Sequence, residues 1–208
     1  MKKTGIIIMT LMSLSAIVIW GIVWDMRSYA GETEYGEVTV VEAPDQTESI
    51  TPARFVREAF VPVVPDGVNI SELARFDANG FNDVYPPGKA KDGKTDGPSY
   101  WEGEADAYPN IFTAEFDEPH RIHAIKLLLC PKTIWGARKQ TFSVEVSTDG
   151  GDYVGLLPEQ TYDFDPLTGN ELVLEFEEIR AMKLRLIFTG NTGAGGGQIA
   201  ELEIYANE

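Results

Sequence analysis

From about residue 110 onward the apolar residues fall on every second position, as in Phe112, Ala114 and Phe116; Phe142, Val144 and Val146; Leu172, Leu174 and Phe176; and Met182, Leu184, Leu186 and Phe188. A period of two places each set on one face of an extended strand, so these segments predict strands with one face toward a core. Between them stand Asp117-Glu118-Pro119, Asp149-Gly150-Gly151, Asp165-Pro166 and the glycine-rich stretch from Gly193 to Gly197, all turn-forming. No amphipathic helical period appears after residue 75. The pattern predicts an all-β sandwich, and 208 residues with 43% hydrophobic content provide one sizeable core. The apolar piece RFVREAFVPVVPDG, residues 54–67, is too greasy to float free, and Phe55, Phe60 and Val63 are expected to pack on the sandwich.

The pattern at the start of the chain is different. Lys2 and Lys3 precede an uncharged run from Thr4 to Trp24, followed by Asp25 and Arg27. About twenty apolar residues match the thickness of a bilayer's hydrocarbon core, and the leading lysines hold that end in the cytoplasm, so residues 1–30 read as a transmembrane anchor with the remainder exported to the cell surface. Ser28-Tyr29-Ala30 leaves a second reading open, a signal cleaved after Ala30 and a secreted product. From Gly31 to Ala53 there is no lysine or arginine and there are six acidic residues, which reads as part of an acidic, extended spacer over residues 31–67 that holds a domain of residues 68–206 away from the membrane.

Charge and residue chemistry narrow the function. The formal net charge is −16, which argues against nucleic acid and anionic membrane surfaces as partners. Cys130 is the only cysteine, so no disulfide forms within one chain, and it reads as a buried strand residue. His120 and His123, the only histidines, open the strand RIHAIKLLL, where positions three apart point to opposite faces and do not converge on zinc. There is no G-x-S-x-G elbow and no phosphate-cradling glycine motif, and no carboxylate pair stands out for glycoside hydrolysis. The chain therefore reads as a non-catalytic binding domain.

Two stretches carry candidate binding chemistry. Gly88 to Glu102, GKAKDGKTDGPSYWE, combines the turn dipeptides Asp92-Gly93 and Asp96-Gly97 with a density of oxygen donors that suits a hard cation, although on its own residues it reads first as a solvated acidic loop, since short Asp/Gly clusters are usually only turns. In CPKTIWGARKQTF, residues 130–142, Trp135 is followed by Gly136 between two strands, a place where an indole is hard to bury. It is either a platform for the C–H face of a sugar or a residue folded back over the end of the sandwich.

The Asp92 loop with Trp101, then Arg138 ahead of FSVEVSTDG, then MKLRLIF, then IAELEIYA, resemble in the same order the coagulation factor V/VIII type C (discoidin-like) domain and the related family 32 bacterial carbohydrate-binding modules, over residues 68–206. Ser99 stands where that family prefers threonine. The resemblance implies a jelly-roll-like, galactose-binding-like sandwich with neighbouring termini and a buried Trp101. It implies a structural calcium ion held by Asp92, Lys94 and Ser99 with Ala200 and Glu201 of the closing strand, where Glu201 lies on the face opposite Ala200, Leu202 and Ile204. It also implies a glycan partner, with Trp135 as platform, Arg138 as hydrogen-bonding fork and Asn191 adding an amide. The alternative function is a structural or adhesive domain that binds protein through an exposed apolar patch.

Overall fold

The computed structural model of the chain describes residues 38–41 and 60–207. The anchor or signal segment and Phe55 lie outside the described residues, and among those described no helix is long and apolar enough to cross a membrane. The described part is all-β, as the alternation predicts. Its strands are β1 (Val38–Val41), β2 (Val68–Asn69), β3 (Ala74–Ala78), β4 (Trp101–Glu102), β5 (Asn110–Leu128), β6 (Arg138–Ser147), β7 (Val154–Phe164), β8 (Glu171–Asn191), β9 (Gln198–Ile199) and β10 (Glu201–Ala206). Helical geometry is confined to short 3-10 turns at Ser71–Leu73, Pro87–Lys91, Thr133–Trp135 and Pro166–Thr168.

Two long antiparallel strands, β5 and β8, make the sandwich. Their register runs from Asn110 opposite Phe188 to Leu128 opposite Glu171, with a shift between Glu115 and His120. On one side of that shift β5 pairs with β3, while β8 pairs with β6, which in turn pairs with β7. On the other side β5 pairs with β10, which pairs with β2, and β8 pairs with β1. Each long strand thus passes from one layer to the other. Asp117-Glu118-Pro119, expected as a turn, is instead this bend inside a continuous strand. Pro119 lacks a ladder N–H and is tolerated at such an irregularity.

Phe112, Phe116, Phe142, Val144, Leu184, Leu186 and Phe188 of the first layer and Ile125, Leu127, Leu174, Leu202 and Ile204 of the second fill a single hydrophobic cluster between them. β2 pairs with β10 so that Val68 lies opposite Ala206, which brings the ends of the domain together. Cys130 is buried just beyond β5. His120 packs its ring on Phe116, whereas the Nε2 of His123 bonds the Asp66 carbonyl at 3.1 Å, so the two imidazoles go to different neighbours.

The register shift at Ile122/Ala124 changes which parity faces the core, and the outward face of the second layer is also covered. Ala124, Lys126, Val173 and Tyr205 are buried there, outside the main cluster. Two pieces of the span read as a spacer take part: β1 pairs along Val173–Phe176, and Phe60–Pro65 packs on the same layer. Lys126 and Glu171, each with a side chain only 4% exposed, form an ion pair at 2.7 Å. The pair grips both backbone groups of one residue: Lys126 Nζ donates to the Val63 carbonyl at 2.7 Å, and the Val63 N–H donates to Glu171 Oε1 at 2.7 Å. A buried ion pair is tolerable only when its remaining hydrogen-bonding capacity is used, and Val63 uses it.

Lys126→Met should therefore leave Glu171 as an uncompensated buried charge and cost about 3–5 kcal/mol of stability, while the double variant with Glu171→Met recovers most of it. Urea unfolding of both variants checks this. A loss under about 1 kcal/mol in Lys126→Met, typical of an exposed pair, would contradict the clamp.

Candidate functional site

Four loops meet at one end of the sandwich: residues 79–86, 98–109, 131–137 and 192–197. Backbone bonds join the first, second and last of them, from Asn82 N to Glu102 O at 2.8 Å, from Gly103 N to Gly197 O at 2.8 Å and from Asp106 N to Gly195 O at 2.9 Å. The glycine run is a packing requirement. A Cβ at Gly196 would lie 2.2 Å from the Gly103 carbonyl oxygen, and one at Gly197 would lie 2.5 Å from the Phe188 ring. Trp101, paired through β4 to Ile199 of β9, is buried as expected, with its Nε1 donating to the Gly80 carbonyl at 3.3 Å and its ring 5.0 Å from Phe112.

Trp135 ends the short turn of the 131–137 loop and is half-buried. Its ring meets Tyr100 edge-on at 4.7 Å, Tyr100 stacks on Tyr85 at 4.2 Å, and the guanidinium of Arg138 lies over the indole with Cζ at 4.9 Å. Next to it Ile134 is 88% exposed. Phe81 and Val84 of the first loop are exposed as well. The aromatic ledge is thus braced from within and open at its rim.

Arg138 is placed differently from the fork the sequence suggested. It is 7% exposed; Nη1 donates to Gln198 Oε1 at 2.6 Å, Nη2 donates to the Trp135 carbonyl, and Nε is buried without a partner. Burial holds its pKa below the usual arginine value, and the charge of Glu102 opposes that shift. Asn191 is likewise spent inside the site: its Nδ2 donates to the Gly196 carbonyl at 2.8 Å, and its Oδ1 accepts from Gly193 N at 2.8 Å. Of the three residues predicted to meet a sugar, Arg138 is buried and Trp135 and Asn191 are half-buried; Trp135 stands on the aromatic ledge, while the polar groups of the other two hold loops.

The five predicted calcium ligands lie on two segments. Asp92 Oδ1 accepts from Lys94 N at 3.0 Å and Oδ2 accepts from the Ser99 hydroxyl. Across the gap the Glu201 carboxylate accepts from Gly93 N at 3.2 and 3.3 Å. Ala200 precedes Glu201, and its N–H donates to the Leu128 carbonyl at 2.8 Å. Among the described residues no three His, Cys, Asp or Glu side chains gather, so a cation here would depend on carbonyl and hydroxyl oxygens beside two carboxylates, a donor set that fits a hard ion. Burial, followed by the charges of Asp92, Glu203 and Glu72, pushes the Glu201 carboxyl up to about 7, against the Gly93 hydrogen bond.

The sequence reading missed the polar groups that organise the loops. Gln140 and Asn110 are buried on the parity of Phe142 and Phe112, and Gln198 and Glu102 are buried on the β4–β9 pair. A polar side chain at an inward position of a strand's last turn toward the loops was the available signal. Asn110 Oδ1 accepts from Gly197 N at 2.9 Å, and Gln140 Oε1 accepts from Gln198 N at 2.7 Å.

The F5/8 type C domain family matches residues 71–202, well over half of the sequence, and the chain belongs to that family. Solved structures agree on the fold. The family 32 carbohydrate-binding module of Clostridium perfringens NanJ, in complex with galactose, superposes with a TM-score of 0.53 at 18% identity, over 65% of this chain and 95% of that one. CBM32-5 of CpGH89 from the same organism, in complex with GalNAc-β-1,3-galactose, gives 0.53 at 22% identity, over 65% and 97%. The CBM32 of AlyQ, in complex with 4,5-unsaturated mannuronic acid, gives 0.52 at 16% identity, over 67% and 96%. A comparison with curated proteins finds no match.

Glu201 sets a pH dependence in chelator. Its folded pKa lies above the unfolded carboxyl value, so the folded state binds the proton more tightly and stability falls as pH rises from about 4.5 through about 7. Glu201→Gln should flatten that part of the profile. Thermal melts at pH 5, 6 and 7 check it, and an unchanged slope in the variant would contradict the assignment.

Proposed function

We propose that the chain is a non-catalytic glycan-recognition module, displayed at the cell surface by an anchor within residues 1–30 and stiffened by a calcium ion at the Asp92 loop. The observation that carries the reading is the half-buried indole of Trp135, braced by Arg138 and Tyr100 at the loop end of an F5/8 type C domain. An indole held in one orientation offers a flat apolar surface to the C–H side of a pyranose without loss of side-chain freedom on binding. That related modules were solved with galactose, GalNAc-β-1,3-galactose and 4,5-unsaturated mannuronic acid supports a sugar as the ligand class. Arg138 then acts from beneath the platform as a fixed cation and a latch on the loop.

In the calcium site Asp92 and Glu201 would supply carboxylates, Ser99 its hydroxyl, and Lys94 and Ala200 backbone oxygens. A bound divalent cation supplies positive charge that offsets the two facing carboxylates. Through Glu201 it would tie the 92–99 loop to β10. Melts of the full chain should therefore shift upward in calcium relative to excess chelator, and an unchanged melting temperature would rule the ion out.

One observation favours a protein partner instead. Ile134 and Leu167 are both exposed, and the turns that carry them touch. The two readings separate on a glycan array with the full chain. Trp135→Ala should lower affinity for any responsive glycan by more than about tenfold, or 1.4 kcal/mol, with little change in melting temperature. A large loss of stability with glycan binding intact would place Trp135 in the core, and an empty array with binding to a protein partner weakened by Ile134→Asp would support the second reading.

A further inference from the structure

Every loop around Trp135 is tied to one buried chain of hydrogen bonds. Asn82 Nδ2 donates to Glu102 Oε1 at 2.9 Å, Gln198 Nε2 donates to Glu102 Oε2 at 2.6 Å, Arg138 Nη1 donates to Gln198 Oε1 at 2.6 Å, and Arg138 Nη2 closes on the Trp135 carbonyl. The chain runs from the 79–86 loop to β4, to β9 behind the glycine run, and to the 131–137 loop. We propose that Glu102 is a positioning residue for the Trp135 platform, acting through Gln198 and Arg138; as a statement about binding, this rests on the glycan reading.

The chemistry of the three buried side chains requires this direction. A carboxylate only accepts and a guanidinium only donates, so a neutral residue between them must do both, and a primary amide does. Gln140 fixes that amide's backbone on both sides, accepting from Gln198 N at 2.7 Å and donating through Nε2 to Gln198 O at 3.0 Å. Among the described residues no carboxylate lies within ion-pair distance of Arg138, whose remaining Nε is walled in beneath Gly193, where an added Cβ would lie 2.8 Å away. Glu102 is therefore the charge that balances the guanidinium under the indole, carried through an amide. Glu102 needs two acceptor oxygens, one for Asn82 and one for Gln198. A glutamine there has only one, so it keeps the Gln198 link only if Asn82 turns its amide to accept from the new NH2, and in either case the charge that balances Arg138 is lost.

The test is fluorine NMR of the full chain labelled with 5-fluorotryptophan, in which the Trp135 resonance is the one lost in Trp135→Phe, alongside affinity for a glycan that binds the wild type. Glu102→Gln should shift or split the Trp135 resonance and weaken binding by about tenfold or more. Adding Arg138→Met removes the orphaned charge. Because Arg138→Met by itself cuts the latch on Trp135, the double variant should displace the resonance and weaken binding no further than Arg138→Met alone, whereas effects that add would show that Glu102 does not act through Arg138 and would overturn the proposal. Asn82→Ala, which cuts the chain at its far end and leaves the buried charges in place, should displace the same resonance less, and it decides the matter should Glu102→Gln not fold. A Trp135 resonance at its wild-type position in Glu102→Gln or, failing that, in Asn82→Ala would overturn the proposal. If the wild type binds no glycan, the resonance still decides the positioning role, and only the glycan reading falls.

Discussion

The antiparallel pairing of β5 with β8 is the constraint from which the rest follows. Nineteen and twenty-one residues long, these strands cannot stay in one small twisted sheet, and they bend where the ladder slips between Glu115 and His120. Each half then recruits its own neighbours, so a single hydrogen-bonded ladder supplies the middle of both layers and sets the distance between them. Closing the sandwich this way leaves its ends unpaired. At one end the gap is filled by four loops, and because β4 and β9 pair over only two residues there, side chains must do what the ladder cannot.

Those side chains are polar and buried, which is costly unless every bond is made. Glu102, Gln198, Arg138, Gln140 and Asn110, with the half-buried Asn191 beside them, meet this condition almost completely, Arg138 Nε being the exception among them. A network so connected is rigid, and rigidity is what a shallow binding surface needs, since ordering loops upon contact would consume the modest energy that such a surface provides. The braced ledge of Tyr85, Tyr100 and Trp135 is the visible result.

The strands were legible because alternation survives wherever one face is buried and the other wet. Phe142, Val144 and Val146 of β6, and Leu184, Leu186 and Phe188 of β8, lie where their parity put them. Alternation failed in two places for physical reasons. The bulge at Ile122/Ala124 resets parity midway along β5, and on the second layer both faces are covered, so Val173 is as buried as Leu174. Lys126, in an apolar run, could not announce a buried ion pair with Glu171, 45 residues away in sequence, because the partner and the Val63 peptide that completes it come from different parts of the chain. The same holds for the site. A tryptophan before a glycine between strands could be picked out, whereas the inward turn of Arg138 depends on Gln198, which lies 60 residues further on.

The loop end is the surface on which the functional account stands, and the most direct test is to map where a ligand lands. With the isotope-labelled chain and a glycan that it binds, amide shifts on titration should concentrate in residues 81–85, 99–106, 132–138 and 191–197 and spare the outer face of the first layer around Glu115, Lys183 and Arg185. Shifts centred on that charged face, with the loop end unmoved, would contradict the account.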